Sequence, residues 1–237
     1  MNGTADAVQF ARITAEELSC VGINMNYAPV LDVAPKEINS IMAARVFGHD
    51  PDQVAHMGAT VIQQLQDRGV MAVAKHFPGI GRTTLDSHLD LPTLDATLSD
   101  LDAFDLIPFR RAIHAGVAGV MLSHIRYPRI DSVWPASLSP AIARDLLRVR
   151  LKYNGVVMTD DLDMGAIEKH FGFKAAVAQV VASDVDMALV CHRSDKIETA
   201  FEEILNWGES ATGAPARARQ SVERILKLKR QYSPDGK

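Results

Sequence analysis

Cysteine is scarce. The 237-residue chain contains two, Cys20 and Cys191, far apart and without the spacing of metal ligands. That argues against a disulfide framework and makes a reducing, cytoplasmic setting the expected one. Basic runs are also missing. The formal net charge is -4 with both signs interspersed, so no nucleic-acid partner is expected. No apolar run approaches the ~18 residues that would span a bilayer, so no membrane partner is expected either. The opening Met-Asn-Gly-Thr-Ala-Asp offers neither the basic segment nor the apolar stretch of a signal peptide. No glycine-rich phosphate fingerprint follows any apolar run, which counts against a nucleotide-binding doubly wound domain.

What is present is an ordinary globular composition, 47% hydrophobic and 23% charged. Residues 4–21 read as an amphipathic helix with Phe10, Ile13, Leu18 and Val21 near one face, ended by Gly22, and with Cys20 as a small core residue. Residues 23–33 read as a strand. Asp50 and Pro51 start a helix as N-cap and first helical residue. Further strands are expected at 70–77, 117–124, 155–161 and 185–191. Helices are expected at 99–115, from Pro140, at 174–182, at 195–207 and at 215–231, with a frayed tail at 233–237. Short, continuous, apolar strands separated by helices indicate an α/β fold with a parallel sheet covered by helices.

Polar and ionisable residues gather just after these strands: Asp32, Lys75-His76, Ser123-His124, Thr159-Asp160 and Cys191-His192. In a (β/α)8 TIM-type barrel those ends form the active face. Five strands are evident where such a barrel needs eight, and the chain opens on a helix. The expected architecture is therefore a single barrel domain over residues 1–237, incomplete, with its N-terminal strands missing.

The densest cluster lies between Lys75 and Pro92. His88 can serve as acid or base near neutral pH, and Asp86, two residues away, can turn to hold its ring. An isolated D-x-H is ordinarily a turn beside a surface histidine; its place after a Lys-His strand end and a Pro-Gly turn favours the catalytic reading. Lys75 and His76 end a buried strand, where charge must be paired or meet a ligand. Either they bind hydroxyls of a polar ligand, or acidic groups on neighbouring strands satisfy the lysine. Asp160 at the end of GVVMTD suits a nucleophile, a base or a metal ligand. Asp161 and Asp163 are read as caps of the following turn, and no hard-metal loop spacing surrounds them. Arg45 suits either an anion or hydroxyl clamp or a surface ion pair. His124 reads as a core histidine, and His192 has no evident partner.

These residues together resemble glycoside hydrolase family 3, in its single-domain β-N-acetylhexosaminidase branch. Its hallmark K-H-F-P-G-x-G-x(4)-D-S-H-x(3)-P matches Lys75 to Pro92. The resemblance continues through NYAPVLDV (26–33), ARVFGHDP (44–51), PASLSP (135–140) and GVVMTDDLDM (155–164). It implies Asp160 as nucleophile, His88 as acid/base with Asp86 as its partner, and Arg45, Lys75 and His76 as ligands of an N-acetylglucosamine unit. It implies no metal and no organic cofactor. The expected substrate is an N-acetylglucosamine-containing cell-wall fragment, handled in peptidoglycan recycling.

Members commonly carry His where Ile80 stands and Asp where Arg82 stands, positions without a catalytic role. Members also carry a D-x-E-G-G-R-V stretch, on strands before the opening helix, that nothing here matches. The alternatives are a phosphorylase on the same scaffold and an inactive truncated barrel. A two-domain β-glucosidase fits less well, because such enzymes take their acid/base from a second domain.

Overall fold

The computed structural model describes residues 3–210 and 214–232; the expected frayed tail lies outside them. The helices are α1 (Thr4–Cys20), α2 (Pro51–Gln66), α3 (Leu98–Ala103), α4 (Leu106–His114), α5 (Gly165–Glu168), α6 (Phe173–Ala182), α7 (Ser194–Ser210) and α8 (Ala214–Gln231). The strands are β1 (Met25–Asn26), β2 (Met71–Phe77), β3 (Gly119–Leu122), β4 (Val156–Asp161) and β5 (Met187–Leu189). A 3-10 turn (Ala136–Leu138) and a π-type helix (Ala141–Arg150) lie between β3 and β4.

All five strands pair in parallel, in the order β1-β2-β3-β4-β5. Strands in chain order joined by helices form part of a (β/α) barrel wall, as expected. One face, with Ala72, Ala74, Val120, Leu122 and Val157, packs into the main core under the helices. The other carries Val73, Met121, Val156 and Met158, and Ile225 and Leu228 of α8 pack against it. Buried Asp186 anchors α8. It accepts hydrogen bonds from Arg148 Nη2 at 2.7 Å, Ser221 Oγ at 2.5 Å and Arg224 Nη2 at 2.8 Å.

The sequence expectations need four corrections. Helix α1 buries Ala7, Ala11 and Ala15, whereas Phe10, Ile13 and Val21 are exposed. A row of alanines four residues apart lets the helix lie close against the core, and that outweighs the larger side chains; Leu18 does pack against the core. Cys20 is exposed, not buried. The single helix expected at 99–115 is two. Thr97 and Asp100 form a capping box for α3, and Pro108 sits at the third residue of α4, inside the first turn where a missing N–H is tolerated. The strand expected over 23–33 is regular only at Met25–Asn26. Pro29 has no N–H to give, yet the chain stays bonded to β2 through Lys75 N to Pro29 O at 3.1 Å and Leu31 N to Lys75 O at 2.6 Å. The Asp50 cap matches expectation, accepting from the N–H groups of Asp52 and Gln53.

Candidate functional site

Asp160 is the penultimate residue of β4, and Lys75 and His76 lie near the end of β2, so both strands carry ionisable groups at one end of the sheet. The His76 ring is the link between them. Its Nδ1 lies 2.8 Å from Asp32 Oδ2, and its Nε2 lies 3.9 Å from Asp160 Oδ2. Asp32 is fully buried and also accepts from the Ile80 N–H at 2.8 Å, tying the strand end to the turn that follows β2. The peptide bonds Lys75–His76 and Phe77–Pro78 are cis. Gly81 is needed where this turn passes the backbone of Val33, since a Cβ there would sit 2.1 Å from the Val33 carbonyl oxygen.

Burial pushes the Asp160 carboxyl up, but the imidazoles of His124 and His76, the Asp161 N–H and the Lys75 ammonium outweigh it. The net result holds Asp160 below the ordinary carboxylate range. Burial lowers the Lys75 ammonium, against the pull of Asp160, and the Arg45 charge lowers it further. Arg45 is exposed, its Nη1 3.6 Å from Met42 Sδ, and its charge also acts on Asp86. It thus belongs to the same electrostatic cluster, and among the described residues no ion pair holds its head.

Asp86 and His88 close on each other. Asp86 Oδ1 accepts from the His88 backbone N–H at 2.9 Å and lies 2.8 Å from His88 Nδ1. The backbone N–H is the main cause that holds the Asp86 carboxyl below its usual value. The loop carrying them is docked on the start of α5: Gly165 N donates to His88 O and Ala166 N to Ser87 O, both at 3.1 Å. Gly165 permits that contact, because a Cβ there would stand 2.6 Å from His88 O. His88 and Asp160 consequently line one cleft of about 360 Å³, with Asp161, Asp163, Met164, Cys191 and His192.

All six sequence-derived site residues therefore fall in one neighbourhood at the same end of the sheet. Three further residues were not assigned to it. Asp32 stood out only as a polar strand end; its contact with His76 spans 44 positions. His124 is buried as expected, held by Ser137 Oγ at 2.7 Å and Asp161 O at 2.9 Å, yet its ring also acts on Asp160. His192, which had no evident partner, has Nδ1 2.8 Å from Asp161 Oδ2.

Asp161 does accept from the Asp163 N–H of its own turn at 3.1 Å. Asp163 does not cap that turn. It accepts instead from the backbone N–H groups of His192 and Arg193, ahead of α7. Asp161, Asp163 and His192 bring ligand atoms within 4.8 Å of one another, a spacing that suits a cation. The Lys196 ammonium, 2.9 Å from Asp163 Oδ1, already supplies positive charge there. Cys20 and Cys191 are free, and burial together with the adjoining Asp161 raises the Cys191 thiol.

Fold and cleft together define a (β/α)-barrel domain with its ionisable groups at the C-terminal ends of the strands. The chain belongs to glycosyl hydrolase family 3, matching the family's N-terminal domain over residues 2–228. It is 36% identical over 208 residues to a β-hexosaminidase from Thiobacillus denitrificans, covering 87% of this chain and 56% of the relative. A family 3 β-N-acetylglucosaminidase from Paenibacillus sp. superposes with a TM-score of 0.93 at 38% identity, covering 98% of this chain and 44% of that one. A β-glucoside phosphorylase superposes with a TM-score of 0.90 at 25% identity, covering 100% and 44%. The chain spans about half the length of the curated relatives it matches. Among the described residues no helix is long and apolar enough to cross a membrane.

Proposed function

We propose that residues 1–237 form the catalytic barrel domain of a retaining exo-β-N-acetylglucosaminidase that removes terminal N-acetylglucosamine from peptidoglycan fragments in the cytoplasm. The observation that carries this reading is the shared cleft: a carboxylate held below its usual pKa, Asp160, beside an imidazole clamped by a carboxylate, His88 with Asp86. Two free cysteines fit a reducing compartment. The hexosaminidase names of the relatives support the sugar, and the cell-wall origin of the substrate follows from the branch that the motifs resemble.

In this mechanism Asp160, ionised at neutral pH, attacks the anomeric carbon as His88 gives its proton to the departing glycosidic oxygen. A covalent glycosyl-enzyme forms and the leaving group departs as an alcohol. Water then attacks the same carbon, His88 takes the water's proton, and Asp160 is released. Asp86 holds the ring and stabilises its protonated form. Lys75, His76 and Arg45 bind hydroxyls of the sugar. No metal or organic cofactor takes part.

The test is release of p-nitrophenol from p-nitrophenyl β-N-acetylglucosaminide. Asp160→Asn is expected to abolish it; an unchanged rate sinks the assignment. A second reading, phosphorolysis, is favoured by the likeness to the β-glucoside phosphorylase. A histidine acid/base carries no negative charge to repel phosphate. Formation of a sugar 1-phosphate with added phosphate supports that reading, whereas free sugar as sole product at an unaltered rate rejects it.

A further inference from the structure

The cleft holds a second histidine clamped as the first is. His88 Nδ1 lies 2.8 Å from Asp86 and His192 Nδ1 lies 2.8 Å from Asp161, which leaves Nε2 of each ring for another partner. His192 is fixed on its backbone side too, its N–H bound by Asp163 Oδ2 at 3.1 Å. Asp161 is immobilised in turn by the N–H groups of Cys191 and Asp163, each at 3.1 Å from Oδ1. An ion pair with the histidine side chain 76% exposed adds little to stability, so stability does not account for so many restraints on one ring.

The side of Asp160 on which this ring lies gives it a role. His76 and Lys75 act on Asp160 but do not line the cleft. Asp160, His88 and His192 do line it. The pair read as sugar ligands thus acts on Asp160 from outside the cleft, whereas His88 and His192 share the cleft with it. His88 must reach the glycosidic oxygen, so the cleft on its side receives whatever is attached to that oxygen.

We infer that His192 is a specificity-determining residue for the leaving group, its Nε2 hydrogen-bonding a hydroxyl of a sugar leaving group in the cleft beside His88. The inference rests on the glycosidase reading and adds a leaving-group subsite to it. Asp161 acts through His192 as a positioning residue. A phenolic leaving group without aliphatic hydroxyls does not use this contact, whereas a second sugar does.

The experiment compares the full chain with His192→Ala and His192→Gln on two substrates that share the N-acetylglucosaminyl group. One is the p-nitrophenyl glycoside and the other is the β-1,4-linked disaccharide of N-acetylglucosamine. His192→Ala is expected to lower kcat/KM on the disaccharide by about tenfold, mainly through KM, as loss of one hydrogen bond implies. The aryl glycoside should change by less than about twofold, within the spread of a contact it does not make, and His192→Gln should restore most of the disaccharide rate. An equal fall on both substrates, or no fall on either, overturns the inference.

A wild-type chain that cleaves neither substrate defeats the glycosidase reading separately, and the subsite is then judged by binding. In Asp160→Asn the NMR signal of the His192 ring should move on adding the disaccharide and stay in place with the monosaccharide. A signal that moves with neither, or equally with both, overturns the subsite.

Discussion

Asp32 and His76 form a buried pair in which a carboxylate with no solvent exposure holds the imidazole 2.8 Å away, leaving the far ring nitrogen 3.9 Å from Asp160. The pair decides which nitrogen of His76 carries its proton, and so what the ring presents to Asp160 and to a bound sugar. Asp32→Asn is expected to lower kcat/KM by about tenfold or more, through loss of that orientation. Asp32→Ala leaves the Ile80 N–H and His76 Nδ1 without an acceptor and should destabilise the fold by about 3 kcal/mol in urea denaturation. An Asp32→Asn chain with unchanged kinetics would contradict the role.

Gly165 offers a test of the docked loop that leaves every ionisable group in place. In Gly165→Ala the new methyl meets backbone carbonyl oxygens at 2.6 Å (His88) and 2.8 Å (Leu89), and neither can rotate away. The loop must shift, carrying His88 off its position. A displacement near 1 Å can cost about 10²-fold in rate. Turnover should fall on that scale while circular dichroism remains that of the wild type. Full activity would mean that the loop position does not matter.

His88→Ala should discriminate between leaving groups by rate. A sugar alcohol needs a proton to depart, so its cleavage should fall by about 10²–10⁴ in kcat, the ordinary contribution of general acid–base catalysis. An acidic phenol leaves without protonation, so its release should fall less, limited by the base step that follows. Equal losses on both would argue that His88 serves only structure. His192→Ala lowers the disaccharide reaction alone, mainly through KM, which separates the two histidines.

Asp105 predicts a pH dependence of stability. Its side chain is wholly buried against Arg82, with Nη2 to Oδ2 at 2.5 Å, and burial raises its pKa from 3.8 to about 6 in spite of that partner. Between those values the folded chain binds the proton more tightly than the unfolded chain does. Stability therefore falls as pH rises from about 4 to about 6, by about 3 kcal/mol, and is level in this respect above that. Urea denaturation of wild type and Asp105→Asn across this range isolates the effect, because other groups cancel in the difference. The wild type should lose about that much relative to the variant; a gap independent of pH would contradict the shift.

Local chemistry was legible in the sequence and distant pairing was not. Asp50 and Pro51 announce α2 because a cap and its first residue are neighbours. Asp86 and His88 announce themselves for the same reason, two positions apart on a loop. The Asp32–His76 pair spans 44 positions and the His192–Asp161 pair 31, so only the sheet that aligns their strand ends reveals them. The buried face of α1 is not legible from side-chain bulk, which points to Phe10 and Ile13, whereas close approach selects Ala7, Ala11 and Ala15. The break between α3 and α4 falls inside the single helix expected at 99–115, and Pro108 in the first turn of α4 is the one local sign of it.

The two halves of the proposed chemistry are attached to the protein in different ways. Asp160 belongs to the sheet, and moving it means moving β4. Asp86 and His88 belong to one loop, bind each other, and meet the β4–α5 corner through two backbone hydrogen bonds. Proton transfer is therefore a detachable part. An engineer could graft another residues 84–92 segment onto the same frame and exchange the acid/base while leaving the Ile80–Asp32–His76 support beside the nucleophile in place. The same separability gives evolution a short route from one leaving group, or one acceptor, to another.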